Sequence, residues 1–508
     1  MSCCMAEKYN WCKQEETVFR DQEGREFCVF HAPKGHKQCS VKDFNNKVFN
    51  RIDKTIPNGR CILSGTVFEW EIDFSRYDEK KPLPSIDFGN SLFCQTVNFN
   101  IAKFSGITFF NDSRFEKNAF FIDAAFSVKA FFSRAMFSGE ATFLCSKFSE
   151  LVTFDYTTFS KEADFREAEF SGKTLFGNAE FIEKAVFSRS KFKADIFFTN
   201  CTFSKEADFC EADFSGKTHF VDSTFSEQAN FFEAEFSGKI FFINSFCEKL
   251  AIFSGINVLD GAIISFRRDQ DRGEMFKSGA HFDNSELKGS ISFLEIDLSK
   301  VLFHATNMKN IQFRRCRFAQ KRGRNILFDE ARIEKVNPSD FPEVKVLYQQ
   351  LKEKYKSEGN QDEASNWHYG EKEMFRKENW YRRYIGVSAL YWASSGYGER
   401  PVRAFMTLLV LFATFTLLTN LFGLVKAPCL DASLDNHVSE IKGFTGTFDL
   451  EKFKLLCLNT MEHAFFLTNT FFIPETPGGK FVLILFTKLL IPIQAALYAF
   501  ALRNIFRR

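Results

Sequence analysis

The chain has 508 residues, with 66 Lys and Arg against 64 Asp and Glu, so its net charge of +2 singles out no class of partner. Its length allows more than one domain, and its composition divides into a polar majority studded with phenylalanine and a strongly apolar end. The 14 cysteines are too few and too scattered for a disulfide scaffold of this length, which points to reduced thiols in a cytosolic context.

The N-terminus opens MSCCMAEKYNWCKQ without an apolar stretch, so a cleaved signal peptide is not expected and membrane insertion would come from the C-terminal end. Residues 1–40 nevertheless concentrate Cys and His. In FCVFHAP, Cys28 and His31 stand three apart around a turn. Cys4, Cys12, Cys28 and His31 make a tetrahedral ligand set for a structural zinc ion, with His36 and Cys39 as substitutes for a mobile Cys4. The alternative is incidental thiols in a frayed terminus, because no tight Cys-x2-Cys pair precedes His31. Residues 41–85, with Tyr77 one step of 11 before Phe88, read as a cap that covers the first strand edges of a repeat array.

From Phe88 to Phe253 a phenylalanine recurs every 11 residues, and a second series from Phe93 to Phe236 divides each interval into steps of 5 and 6. A helix is excluded, since such steps at 100° per residue throw successive rings to different faces. A straight strand is excluded as well, because a step of 5 reverses the face of the pleat and a step of 6 keeps it. The backbone must therefore turn within each step. The residue two before each Phe is usually small, as at Ala119, Ala163, Ala207 and Ala234, and Ser, Gly, Lys, Glu and Asp fill the positions between. The blocks SKEADFREAEFSGKT and SKEADFCEADFSGKT begin at Ser160 and Ser204, four periods apart, and FSGK recurs at Phe214 and Phe236, two periods apart. A coil made of two periods, with four short sides, fits both distances.

A small residue, Asp or Asn, a central apolar residue and two polar residues form the pattern that this array shares with the pentapeptide-repeat family, which it resembles over residues 60–330. Phe stands here for the more usual Leu, and every second repeat carries a sixth residue. The resemblance implies a mainly β fold, a right-handed quadrilateral β-solenoid over residues 86–330, with a ladder of rings inside.

The period stumbles after Phe253 and resumes at Phe282, which predicts a loop insertion. Near the end, RRCRFAQKRGR gathers Arg314, Arg315, Arg317, Lys321, Arg322 and Arg324. The cluster either faces anionic lipid or forms a solvated edge that resists aggregation. Residues 338–398 switch to a helical pattern, with Val344, Leu347, Tyr348, Leu351 and Tyr355 on one face, and predict a helical hairpin linker. This connector resembles that of bacterial pentapeptide-repeat proteins with a C-terminal membrane domain.

Residues 400–508 read as an α-helical membrane domain. The stretches 402–424 and 481–502 are long enough to span the hydrocarbon layer. Lys377, Arg382, Arg383, Arg400 and Arg403 precede the first and Arg503, Arg507 and Arg508 follow the second, so the positive-inside rule puts both termini in the cytoplasm. With the family resemblance, the expected location is a bacterial inner membrane. Between the spans, residues 453–473 are apolar but interrupted by Asn459, Glu462 and His463, which suits a re-entrant or interfacial helix. Lys488 is ionisable within a span, with Gln494 six residues on. It either lines an aqueous pore or snorkels and pairs near Glu462 and His463.

No arrangement of acids, histidines or serines forms a catalytic constellation, and no Gly-rich loop cradles phosphate, so an enzyme is not expected. The leading expectation is a homo-oligomeric, channel-like pore subunit, in contact with membrane lipids, whose cytoplasmic solenoid assembles subunits or senses a protein partner. The alternative is a membrane-anchored interaction scaffold without transport. The family also includes acidic solenoids that imitate DNA and bind topoisomerases. Here 22 Asp and Glu against 17 Lys and Arg between Phe88 and Phe253 argue against that role, and no nucleic-acid partner is expected.

Overall fold

Each step of the array folds into one short strand and one corner, so the side chain of every series phenylalanine points inward. In the computed structural model, which describes residues 3–55, 59–269, 273–336, 340–422, 424–426, 440–441, 450, 454, 457–461, 472–474 and 476–506, the strands stack as a β-solenoid of about 11 turns. Among the described residues, its sides are four parallel sheets of 12, 9, 11 and 9 strands. The register advances by two phenylalanine periods per coil, with Thr108 beside Ala130 and Phe109 beside Phe131, as the repeated blocks require. The first strand of the stack is Arg60–Ile62, paired with Ser85–Asp87, so the stack opens inside the stretch that the sequence suggested as cap. Covering this end is the helix Val41–Asp53. Ser40 caps it by accepting from the Asp43 N–H, and Phe44, Val48 and Ile52 form its buried stripe.

Inside, the rings obey two geometries at once. Along the stack, Phe110, Phe132, Phe154 and Phe176 lie nearly parallel with centroids 4.8–4.9 Å apart, the spacing that strand pairing imposes. Across it, Phe121 and Phe132 meet edge to face at 5.8 Å and 87°. Both are favourable arrangements of the aromatic quadrupole.

The alternation of 5 and 6 records two kinds of corner. From Asn90 through Ile101 and Asp112 to Asn244, every eleventh residue has φ between 51° and 59°. Most sit third in a β-turn, as where the Ser91 N–H donates to the Phe88 carbonyl, while Asn200, Asp222 and Asn244 sit in bends that directly follow longer strands. These tight corners occupy the shorter steps, and wider bends occupy the longer ones. A β-branched residue in this conformation is strained by about 1–2 kcal/mol. Ile101 has φ 54° and a half-exposed side chain, so little packing offsets its strain. Ile101→Asn is therefore expected to stabilise the protein by about 1 kcal/mol, seen as a higher denaturation midpoint; an unchanged or lower midpoint would count against the strain argument.

The position after each tight corner is small for a second reason. Where it holds a hydroxyl, the side chain commonly donates to a carbonyl one coil earlier: Ser113 to Phe88 at 2.7 Å, Thr157 to Phe132 at 2.8 Å and Ser190 to Phe165 at 2.7 Å, with Ser91 donating to Leu63 at 3.0 Å near the first coil. These hydroxyls are thus satisfied without interrupting the rings.

The stumble after Phe253 comes from extra residues at two successive corners: Phe242 pairs with Phe266, 24 residues on, and Cys247 with Phe276, 29 residues on, where a regular coil takes 22. Arg268, buried there, donates to the carbonyls of Asn244, Ser245 and Gly273, and the ring column resumes from Phe253 to Phe282 at 4.8 Å. At the far end, the helix Phe328–Val336 brings in Asp329, which accepts from the Phe303 N–H, and Glu330, which pairs with Arg324.

Residues 336–508 form a separate unit. The helices Phe341–Ser357 and Gln361–Lys377 pack together, with Tyr348 stacked on Trp367 at 5.7 Å. Short helices Trp380–Tyr384 and Val387–Ser395 lead to the long helix Pro401–Phe422. The last helical stretch runs from Pro477 to Phe506 and contains a π-helical segment, Leu485–Leu490.

Candidate metal centre and apolar helices

The Cys and His residues of the N-terminus converge because a short hairpin turns the chain back on itself. Strands Thr17–Arg20 and Glu26–Cys28 pair antiparallel and deliver Cys28 to a tight turn, where the N–H groups of His31 and Ala32 both donate to its carbonyl. The helix Ala6–Tyr9 lies between Cys3 and Cys12 and brings both to the same place. The ligand atoms of Cys3, Cys12, Cys28 and His31 all lie within 4.8 Å of one another, and all four residues are buried. His31 Nδ1 is 3.2 Å from the Cys28 sulfur and 3.6 Å from the Cys3 sulfur, while Nε2 lies 3.3 Å from the Ser64 carbonyl.

Three of the four ligands chosen from sequence meet here; the fourth position belongs to Cys3 and not to Cys4. The backbone N–H of Cys4 donates to Glu26 at 2.7 Å, and its thiol lies outside the cluster. Neighbouring residues point to different sides of the chain, and spacing alone does not say which faces inward. The substitutes also lie outside: His36 stacks on Phe19 at 4.2 Å, and Cys39 is only half-buried.

Three thiols at this distance do not all ionise in a buried site by themselves. The thiol of Cys28 donates to Cys3 and lowers its pKa; the same hydrogen bond, with burial, raises that of Cys28, and burial pushes Cys12 up to about 12. Lys37, also buried, donates to the carbonyls of Val29 at 2.7 Å and Phe30 at 3.3 Å in the Cys28–Ala32 turn. Burial brings its ammonium down to about 8.

Of the basic cluster, Arg324 alone is buried. Arg314 is exposed, but Arg315 pairs with Glu295 at 2.9 Å and Arg317 with Asp297 and Glu274. Arg324 is buried against Glu330 at 2.6 Å, and Lys321 lies 3.6 Å from the same carboxylate, which removes Arg324 from any contact with lipid. Arg322 is exposed in the intervening turn, with φ 50°.

Two helices are long and apolar enough to cross a membrane, Pro401–Thr419 and Pro477–Asn504. They pack on each other through Leu408, Phe415, Phe486 and Ile491, with Phe415 stacked on Phe486 at 5.4 Å. Most of their apolar surface lies outside that contact: Val402 is 74 % exposed, Phe481 66 % and Leu417 60 %. Gln494, six residues after Lys488, is buried and donates to the carbonyls of Ser394 at 2.9 Å and Ala404 at 2.8 Å. Its amide thereby ties the last helix to the two before it. Lys488 is exposed, within the π-helical segment. Asn459 is buried in the short helical piece 457–461, where Thr460 meets Thr416 at 3.0 Å. Glu462 and His463 lie outside the described residues, as does most of the stretch read as a re-entrant helix.

Sequence reasoning passed over one buried network in the linker. Arg376 donates to Glu373 at 2.8 Å, to the Tyr397 hydroxyl at 3.1 Å and to the Arg383 carbonyl at 2.6 Å. The Glu and Lys pairs around it look like an ordinary solvated helix, so only the approach of Tyr397 from the following turn reveals it.

No curated protein and no solved structure matches the chain. Residues 154–202 match the family model described as pentapeptide repeats (9 copies). Together with the β-solenoid in which it lies, that match supports the pentapeptide-repeat family of repeat proteins for this chain.

Proposed function

We propose that the protein is a membrane-anchored interaction scaffold, in which the solenoid offers its sides to a protein partner and the two apolar helices hold it at the membrane. The observation that carries this reading is the exposed apolar surface of both helices. In water, that surface would be a liability far larger than scattered surface leucines, whereas a bilayer solvates it favourably. Along the solenoid's surface, charged side chains pair between neighbouring coils, as Arg134 does with Asp112 at 2.6 Å and Arg189 with Glu211 at 3.0 Å. Basic residues before the first helix and after the second favour cytoplasmic termini.

A second reading, a homo-oligomeric pore, rests on Lys488, which is exposed on this chain although it lies within an apolar helix. Several copies would be needed, since two helices enclose no pore.

Alkaline carbonate washing of membranes from cells that express the full chain tests the anchor: the protein is expected to stay in the pellet, and its release into the wash would overturn the reading. Planar bilayers separate the two functions. The scaffold predicts no conductance from protein that has inserted, and a conductance whose ion preference changes in Lys488→Glu would establish the pore instead.

A further inference from the structure

We infer that Cys3, Cys12, Cys28 and His31 form a closed, structural zinc site that fastens the N-terminal Cys/His segment to the first coil of the solenoid. Three thiolates and one imidazole are a soft donor set for zinc. Four protein ligands fill its tetrahedral positions and leave none for a substrate, which marks a structural and not a catalytic centre. The outer contacts match that role. With its Nε2–H donated to the Ser64 carbonyl, His31 keeps the lone pair of Nδ1 directed at the sulfurs, the usual way in which a metal-bound imidazole is oriented. Three thiolates on a divalent ion leave one net negative charge, and the buried ammonium of Lys37 on the Cys28–Ala32 turn supplies the compensating positive charge.

The site is also joined to the solenoid's end by contacts that depend on its order. Ser64 and Val67 belong to the first coil. The Trp11 indole donates to the same Ser64 carbonyl at 3.2 Å, and the Phe30 carbonyl, one residue from His31, accepts from the Val67 N–H at 2.8 Å. The strand Val67–Phe68 ends its sheet, so the turn held by the metal covers an edge that is otherwise open to pairing with another chain. Zinc binding and protection of that strand edge are therefore one event.

The test uses the full chain purified in detergent without chelator. Elemental analysis is expected to give one zinc per chain, and cobalt exchanged into the site is expected to show the visible bands of tetrahedral, thiolate-rich Co2+. Cys28→Ser and Cys12→Ser should lose the metal, while Cys4→Ser, next to Cys3 in the chain but outside the cluster, should keep it. Should the serine variants fail to fold, His31→Cys supplies a four-thiolate set that should retain zinc with an altered cobalt spectrum. Removing zinc from the unmodified chain should speed exchange of the Val67 amide at least tenfold. The inference is overturned by metal-free protein that takes up neither ion, by equal zinc content in Cys28→Ser and the parent chain, by a disulfide between two of the three cysteines, or by unchanged exchange at Val67 after zinc is removed.

Discussion

Phe165→Ala is expected to destabilise the coils around it by about 3–5 kcal/mol, with the damage confined to that section of the stack. Phe165 is fully buried, stacks on Phe143 at 4.8 Å and Phe187 at 4.9 Å, and meets Phe154 and Phe176 edge to face at 5.6 and 5.8 Å. The cavity is not relieved by collapse. The Phe165 N–H donates to Val186 at 2.7 Å and the Phe143 N–H to Asp164 at 2.6 Å, so the coils on either side are held at the strand spacing. Phe165→Leu fills much of the space and should cost about 1–1.5 kcal/mol. Hydrogen exchange is the appropriate measurement, because a stack whose coils touch only their neighbours opens locally. Protection should fall between residues 143 and 187 and stay intact near Phe99. Unchanged protection at the Phe165 amide in the alanine variant would refute the closed-column account.

Glu330→Ala should have a similarly large effect at the C-terminal end of the solenoid. Its carboxylate is fully buried and accepts two hydrogen bonds, at 2.6 and 2.9 Å, from the guanidinium of Arg324, itself 5 % exposed. Removing one partner of a buried pair leaves the other charge in a medium that solvates it poorly, which costs about 3–5 kcal/mol. The paired substitution Arg324→Met with Glu330→Leu removes both charges and should recover most of that loss. Arg314→Ala, from the same basic run but exposed, should change stability by no more than about 0.5 kcal/mol. The melting temperature of the three variants and exchange in the hairpin Ala319–Lys321 with Arg324–Ile326 provide the check. If Glu330→Ala melted with the parent chain, the pair would not be what holds this end.

The contrast between Arg314 and Arg324 shows where sequence reasoning stopped. Both belong to one basic run, and charge density alone treats them alike. Burial separates them, and burial here depends on a helix that arrives after the run has ended. Gln494 teaches the same point within the apolar helices. Polarity in a span invites a functional reading, yet its amide is consumed by the carbonyls of Ala404 and Ser394, far earlier in the chain. Likewise Cys3 and Cys4 are equivalent in composition and nearly so in spacing, and the hairpin that returns Cys28 chooses between them.

The phenylalanine period by itself determined that the backbone turns in every step, that a coil closes after two periods and that rings fill the interior, because these follow from local geometry repeated many times. The length and apolarity of the last two helices were equally plain from the chain alone. Only the tertiary structure decided that the shorter steps hold left-handed corners, that hydroxyls after those corners satisfy carbonyls of the previous coil, and which four N-terminal side chains converge. Each of these is a relation between residues brought together by folding, and a one-dimensional spacing carries no information about which side of the chain a side chain will face.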